Sequence, residues 1–185
     1  MNIFIDTEFT NLSREALLIS LGAVSEDGQE FYCELPVDPK CCSPFVCGIV
    51  LPLLEGGAAS CSLGDFVVRL GAWLERFDEP VLLSDSDWDI LVMRKALMGE
   101  ASRMPGPLSL PGGRTVIMTT LMPLAGEDLA LFDSTMQGHF AGDPRQHHAL
   151  VDARALRAGL LAVMASREGL SRGQRWPVVK RRWLS

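Results

Sequence analysis

An α/β fold, with helices packed on a central mixed sheet in the order β-β-β-α-β-α-β-α, is what this sequence predicts. Three features carry that expectation. Short strand patterns joined by tight turns open the chain, an apolar period of about 3.6 residues begins at Ser62, and strand and helix patterns alternate from there onward. At 185 residues the chain fits one domain, which we place at residues 1–170, followed by a basic tail at 171–185.

Ile3, Phe4 and Ile5 form an apolar strand running into Asp6, and Leu17 to Val24 is a second apolar run ending at the turn residues Glu26, Asp27 and Gly28. Phe31, Cys33 and Leu35 then alternate as a third strand. Connections this short cannot make the crossover that parallel neighbours need, so the three form an antiparallel meander. From Val37 to Ser60 the composition turns to Pro, Gly, Cys and Ser, which predicts a packed irregular segment. Ser62 with Asp65 resembles a capping box, and Leu63, Phe66, Val67, Leu70, Trp73, Leu74 and Phe77 make one helical stripe that ends before Pro80. Val81 to Leu83 reads as a buried strand, and Ile90, Leu91, Met93 and Leu97 as the next helix. Arg103 to Gly113 reads as a Pro/Gly loop, Thr115 to Thr119 as a strand and Gly126 to Met136 as a weakly marked helix. Ala149, Ala153, Leu156, Leu160 and Val163 mark the last helix, fading near Gly169.

Composition narrows the function. Apolar residues make up 48% and charged residues 22%, a mixture that builds a core. The net charge of -6 argues against whole-surface attraction to nucleic acid or anionic lipid, so any contact with a polyanion needs a local site. The apolar run from Phe45 to Leu54 is interrupted by Pro52 and falls short of the roughly 20 residues of a spanning helix. No membrane association is expected, and an N-terminus with acids in place of a basic leader predicts a cytoplasmic protein. Cys33, Cys41, Cys42, Cys47 and Cys61 are odd in number and lack zinc-ligand spacing, which predicts reduced thiols.

Three clusters carry chemistry. Asp6 and Glu8 stand two apart at the end of a strand, so both carboxylates share a face, and like charges there call for a cation or a proton. Hard oxygen donors suit Mg²⁺ or Mn²⁺. Asp85, Asp87 and Asp89 follow the Val81–Leu83 strand and open a helix; any of them can serve as its N-cap or as a metal ligand. His147 and His148 precede Asp152, which shares the inward face of the last helix with Ala149 and Leu156. A histidine near that site can take a proton from water at neutral pH.

In this order, Asp6-Thr7-Glu8-Phe9-Thr10, Asp85-Ser86-Asp87-Trp88-Asp89 and His147-His148-Ala149-Leu150-Val151-Asp152, the sequence resembles the DEDDh group of 3′-5′ exonucleases, which includes ribonuclease T and oligoribonuclease. The resemblance implies a ribonuclease-H-like mixed sheet with helices on both faces. It implies two divalent cations, Mg²⁺ or Mn²⁺, held by Asp6, Glu8, Asp89 and Asp152, with His147 as general base and Asp85, Asp87 and His148 as alternatives. Thr7, Phe9 and Thr10 fall where the family contacts the terminal nucleotide. The implied partner is the 3′ end of a single-stranded nucleic acid, RNA favoured over DNA, and relatives that act as dimers make a homodimer a further expectation. The tail, with Arg172, Arg175, Lys180, Arg181 and Arg182 around Trp176 and Trp183, offers a second strand contact. Competing classes are a non-catalytic nucleic-acid-binding or assembly module on the same fold and a small-molecule phosphoesterase.

Overall fold

The computed structural model describes residues 1–121 and 123–167, so the expectations for the basic tail lie outside the described residues. The chain is α/β, built on a six-stranded mixed sheet in the order β3-β2-β1-β4-β6-β5. The strand β1 (Asn2–Phe9) pairs antiparallel with β2 (Leu18–Ser25), which pairs antiparallel with β3 (Glu30–Glu34), as the short connections require. On its other side β1 runs parallel to β4 (Val81–Ser84), reached through the helix α1 (Leu63–Leu74). The helix α2 (Asp87–Met98) then leads to β5 (Gly106–Ser109) and to β6 (Thr115–Thr120), which is parallel to β4 and antiparallel to β5. Two helices close the described chain, α3 (Gly126–Gly142) and α4 (Ala149–Ser166).

Alternation along β1 divides the core. Ile3 and Ile5 face a cluster with Phe66, Leu70 and Trp73 of α1 and Ile90 and Met93 of α2, whereas Phe4, with Leu83, faces Phe132 of α3 and Leu156 and Leu160 of α4. Helices therefore cover both faces. This explains why all eight residues of β2 are buried, where a strand with one wet face would alternate. The Ser62 hydroxyl accepts the Asp65 N–H at 3.1 Å, capping α1 as its sequence predicts.

Two elements differ from expectation. The segment read as a Pro/Gly loop contains β5, an edge strand whose Gly106 and Leu108 are buried while Pro107 and Ser109 are exposed. A proline is tolerated there because an edge strand need not donate on its open side. The helix expected to end at Met136 continues to Gly142, across Gly138. The Cys-rich segment holds a π-helical turn, Val46–Val50, whose Val46 and Val50 pack on Ile19 while Phe45 and Ile49 stay exposed. All five cysteines are unpaired. Among the described residues no helix is long and apolar enough to cross a membrane.

Candidate metal centre

The strand β1 stays extended through Glu8, which places Asp6 and Glu8 on the face covered by α4 and Thr7 on the face covered by α2. Asp6 pairs with Gly22 of β2, and that glycine decides how close α4 comes. A Cβ built on Gly22 would lie 2.3 Å from the backbone carbon and oxygen of Ala149 and the nitrogen of Leu150. The first turn of α4 thus rests directly on the sheet, and Asp152, in that turn, reaches the acids of β1. One oxygen each of Glu8 and Asp152 and a ring nitrogen of His147 lie within 4.8 Å of one another; so do oxygens of Asp6, Asp85 and Asp89. Both groups could hold a metal ion.

The hydrogen bonds fix one side of two carboxylates and leave the other bare. Asp89 is buried, and its Oδ1 accepts the Thr7 N–H at 3.2 Å and the Thr7 hydroxyl at 2.5 Å, while its Oδ2 is buried without a partner. Asp152 accepts the His147 N–H at 2.9 Å on Oδ2, and its Oδ1 is likewise buried and unpartnered. A buried anionic oxygen without a donor is costly unless a cation meets it. An arrangement that orients each carboxylate by one oxygen and frees the other suits a hard divalent ion.

The electrostatics agree. Burial, then the repulsion of Asp89, Glu8, Asp152 and Asp85, holds the Asp6 carboxyl well above its usual range. Burial and the charges of Asp152 and Asp89 push Glu8 up to about 9. Burial, against the Thr7 hydroxyl, pushes Asp89 to about 7, and burial, against the His147 N–H, does the same for Asp152. Asp85 is exposed on its outer side, yet the protein around its carboxyl raises that group too. Burial lowers the His147 imidazole and favours its neutral form.

His147 holds a left-handed backbone with φ of +71°, unusual for a residue with a side chain, and it is in this conformation that its N–H reaches Asp152. The Phe45 ring meets the imidazole edge-on at 5.0 Å. His148 belongs to a different network. It is buried, stacks on Tyr32 at 4.6 Å and brings Nε2 within 3.4 Å of the Glu55 carboxylate, without the alignment of a hydrogen bond.

The remaining sequence-predicted residues fall as follows. Asp87 is exposed, outside both metal-capable groups, and pairs with Arg103 at 3.6 Å. None of the three second-cluster acids caps α2; the Ser86 hydroxyl does, accepting the Trp88 N–H at 3.2 Å. Phe9 is half-buried and stacks on Trp88, with ring centroids 6.0 Å apart. Thr7 and Thr10, expected at the terminal nucleotide, are both buried with their hydroxyls engaged. Thr7 clamps Asp89, and Thr10 accepts the Leu17 N–H at 3.0 Å, which closes the loop after β1.

Two contributors escaped sequence reading. Gly22 carried a signal, since a glycine inside an apolar strand marks close backbone approach; Phe45 carried none, because only the tertiary fold brings it to His147. No protein-family model and no curated protein matches this chain.

Proposed function

We propose that this chain is a metal-dependent 3′-5′ exonuclease on a ribonuclease-H-like fold, acting on single-stranded RNA in preference to DNA. The mixed sheet covered on both faces is compatible with that fold. The observation that carries the reading is the pair of buried, unpartnered oxygens, Asp89 Oδ2 and Asp152 Oδ1, standing among the other carboxylates. Asp6, Glu8, Asp89 and Asp152 would hold two Mg²⁺ or Mn²⁺ ions, with Asp85 within reach of the first group. Bound there, the ions would supply an activated water and charge stabilisation for the departing oxygen.

The chain's own residues do the rest. Thr7 and the His147 N–H keep Asp89 and Asp152 aimed inward. The His147 ring, neutral because burial depresses its basicity, accepts the proton as water attacks phosphorus. The bond from phosphorus to the 3′ oxygen of the preceding nucleoside breaks, and a nucleoside 5′-monophosphate leaves.

Incubating the protein with a 5′-labelled oligonucleotide, as RNA and as DNA, in Mg²⁺, Mn²⁺ or chelator tests this. A ladder of products shortened from the 3′ end, present with metal and absent with chelator, is expected. A shifted but intact band would instead identify a binding module, and an unretarded intact strand would overturn both readings.

A further inference from the structure

Where the end of β1 meets the start of α2, the rings of Phe9 and Trp88 stack, and Arg103 places its guanidinium carbon 3.4 Å from the Trp88 ring centroid. Phe9 follows Glu8 in the chain and Trp88 precedes Asp89, and both rings pack against the cluster formed with α1 and α2. We infer that Arg103 is a strand-binding residue that takes a backbone phosphate on the 5′ side of the scissile linkage, an inference that rests on the nuclease reading and adds a contact to it.

Among the described arginines Arg14, Arg76 and Arg103 donate no side-chain hydrogen bond, and of these Arg103 is the one that lies over an aromatic ring. Arg94, Arg114, Arg145, Arg154 and Arg157 each donate hydrogen bonds to carbonyl or carboxylate oxygens. Arg103 donates none among the described residues. Its single ion pair, to Asp87, is long at 3.6 Å and half-exposed on both sides, which makes it a weak competitor for a phosphate. A guanidinium so close to a ring centroid lies over the ring, and a stacked guanidinium can still donate its N–H groups to phosphate oxygens.

The loop that carries Arg103 is also held in place. Arg94 is buried, and it donates to the carbonyls of Met104 and Pro107, both at 3.3 Å, while the Ser102 hydroxyl accepts the Met104 N–H at 3.2 Å. Anchors on both sides thus present a side chain that is itself 41% exposed. A protein of net charge -6 needs such local cations if a polyanion is to approach a cluster of carboxylates.

The test compares the wild type with Arg103→Ala, and with Arg76→Ala as a charge-matched control, on a labelled RNA strand and on a dinucleotide, which has only the scissile phosphate. For Arg103→Ala on the strand, KM should rise about tenfold with kcat nearly unchanged, as expected for one lost charge-assisted contact. The dinucleotide should show no change. Binding of the intact strand in Ca²⁺, read by fluorescence anisotropy across about 50–200 mM salt, should lose about 0.7 of its log–log salt slope, the value of one single-strand phosphate. Arg103→Lys should keep the slope and Arg76→Ala should leave every readout in place. An unchanged slope, or equal losses on strand and dinucleotide, overturns the assignment. A wild type that binds the strand in a salt-dependent manner but never cuts it fails the nuclease reading alone, and the anisotropy arm still decides Arg103. A wild type that neither binds nor cuts removes both.

Discussion

Asp152 and Arg154 stand two residues apart on α4, yet they belong to opposite electrostatic regimes. Toward the β2–β3 turn, Arg154 donates to both oxygens of Glu30 at 2.7 Å, Arg157 reaches the carbonyls of Ser25 and Glu26 at 3.0 and 2.8 Å, and Asp27 takes the Ser25 hydroxyl. These partners hold the Glu30 and Asp27 carboxyls below their usual range. Toward the end of β1, the carboxylates of Asp6, Glu8, Asp85, Asp89 and Asp152 have one another for charged neighbours, and Glu8 is pushed up to about 9. Where charge only fastens a turn to a helix, this fold matches it; where it leaves charge unmatched, the chain bears a cost that folding alone does not explain. A cation bound there would relieve it.

The sharpest way to break the contrast is to neutralise an acid at the unmatched end. Under the proposed function, Asp6→Asn or Asp152→Asn should lower the cleavage rate on the order of 10³-fold or more, because a ligand to the reacting centre is lost. Asp6→Asn should leave the metal-free protein no less stable, since only burial and repulsion act on that carboxyl. Initial rates on a labelled strand and thermal melts in chelator check the two halves. Wild-type turnover by either variant would refute the metal centre.

Next in size is the contact that brings the acids together. Gly22→Ala puts a methyl where Ala149 and Leu150 backbone atoms already stand, 2.3 Å away, and neither partner is a flexible tip. Overpacking of this kind costs about 1–3 kcal/mol and often more against backbone. Here α4 must also lift, carrying Asp152 and His147 away from Asp6 and Glu8, so Mn²⁺ affinity by calorimetry should fall with stability in urea. A variant with unchanged stability and metal affinity would show that α4 is not seated as described.

How far these features could be read in advance follows from their range in sequence. The period of a strand and of a helix sets the face of Asp6 with Glu8 and of Asp152 with Leu156, so the structure brings together groups whose orientation was local information. The strand β5 was hidden because Pro105, Gly106 and Pro107 look like a loop until β6 is there to pair with them. The choice among Asp85, Asp87 and Asp89 depends on how α2 enters the fold, which the Ser86 cap and the Thr7 clamp decide over distances no spacing rule covers. Two of the three reach the Asp6 group, and Asp87 does not.

The titration of the two ends should run in opposite directions. Glu8 is raised from 4.5 to about 9, so between those values the folded chain binds a proton that the unfolded chain has lost. Stability of the metal-free protein is therefore full below the unfolded value and declines as pH climbs toward the folded one. With water screening part of the effect, melting in chelator should be about 3–5 °C lower near pH 8 than near pH 6. Mn²⁺, which competes with those protons, should remove most of the difference. A pH-independent melt in chelator would show that the acids do not repel one another as their positions demand.

At the matched end the sign reverses and the effect is smallest. The Glu30 carboxyl is lowered chiefly by its hydrogen bond to Arg154, so its contribution is present above the ordinary glutamate range and disappears as pH falls through the folded value. The pair is about one-third exposed on both sides, 33% for Arg154 and 39% for Glu30, so Glu30→Gln should cost no more than about 1 kcal/mol at neutral pH. Added salt should shrink even that cost, and it should vanish once the carboxylate is protonated in both states. Melts of wild type and Glu30→Gln, compared at neutral pH and near pH 3, measure it. A larger penalty that persisted in acid would mean that Glu30 acts through packing rather than charge, and the contrast between the two ends of the sheet would lose one of its sides.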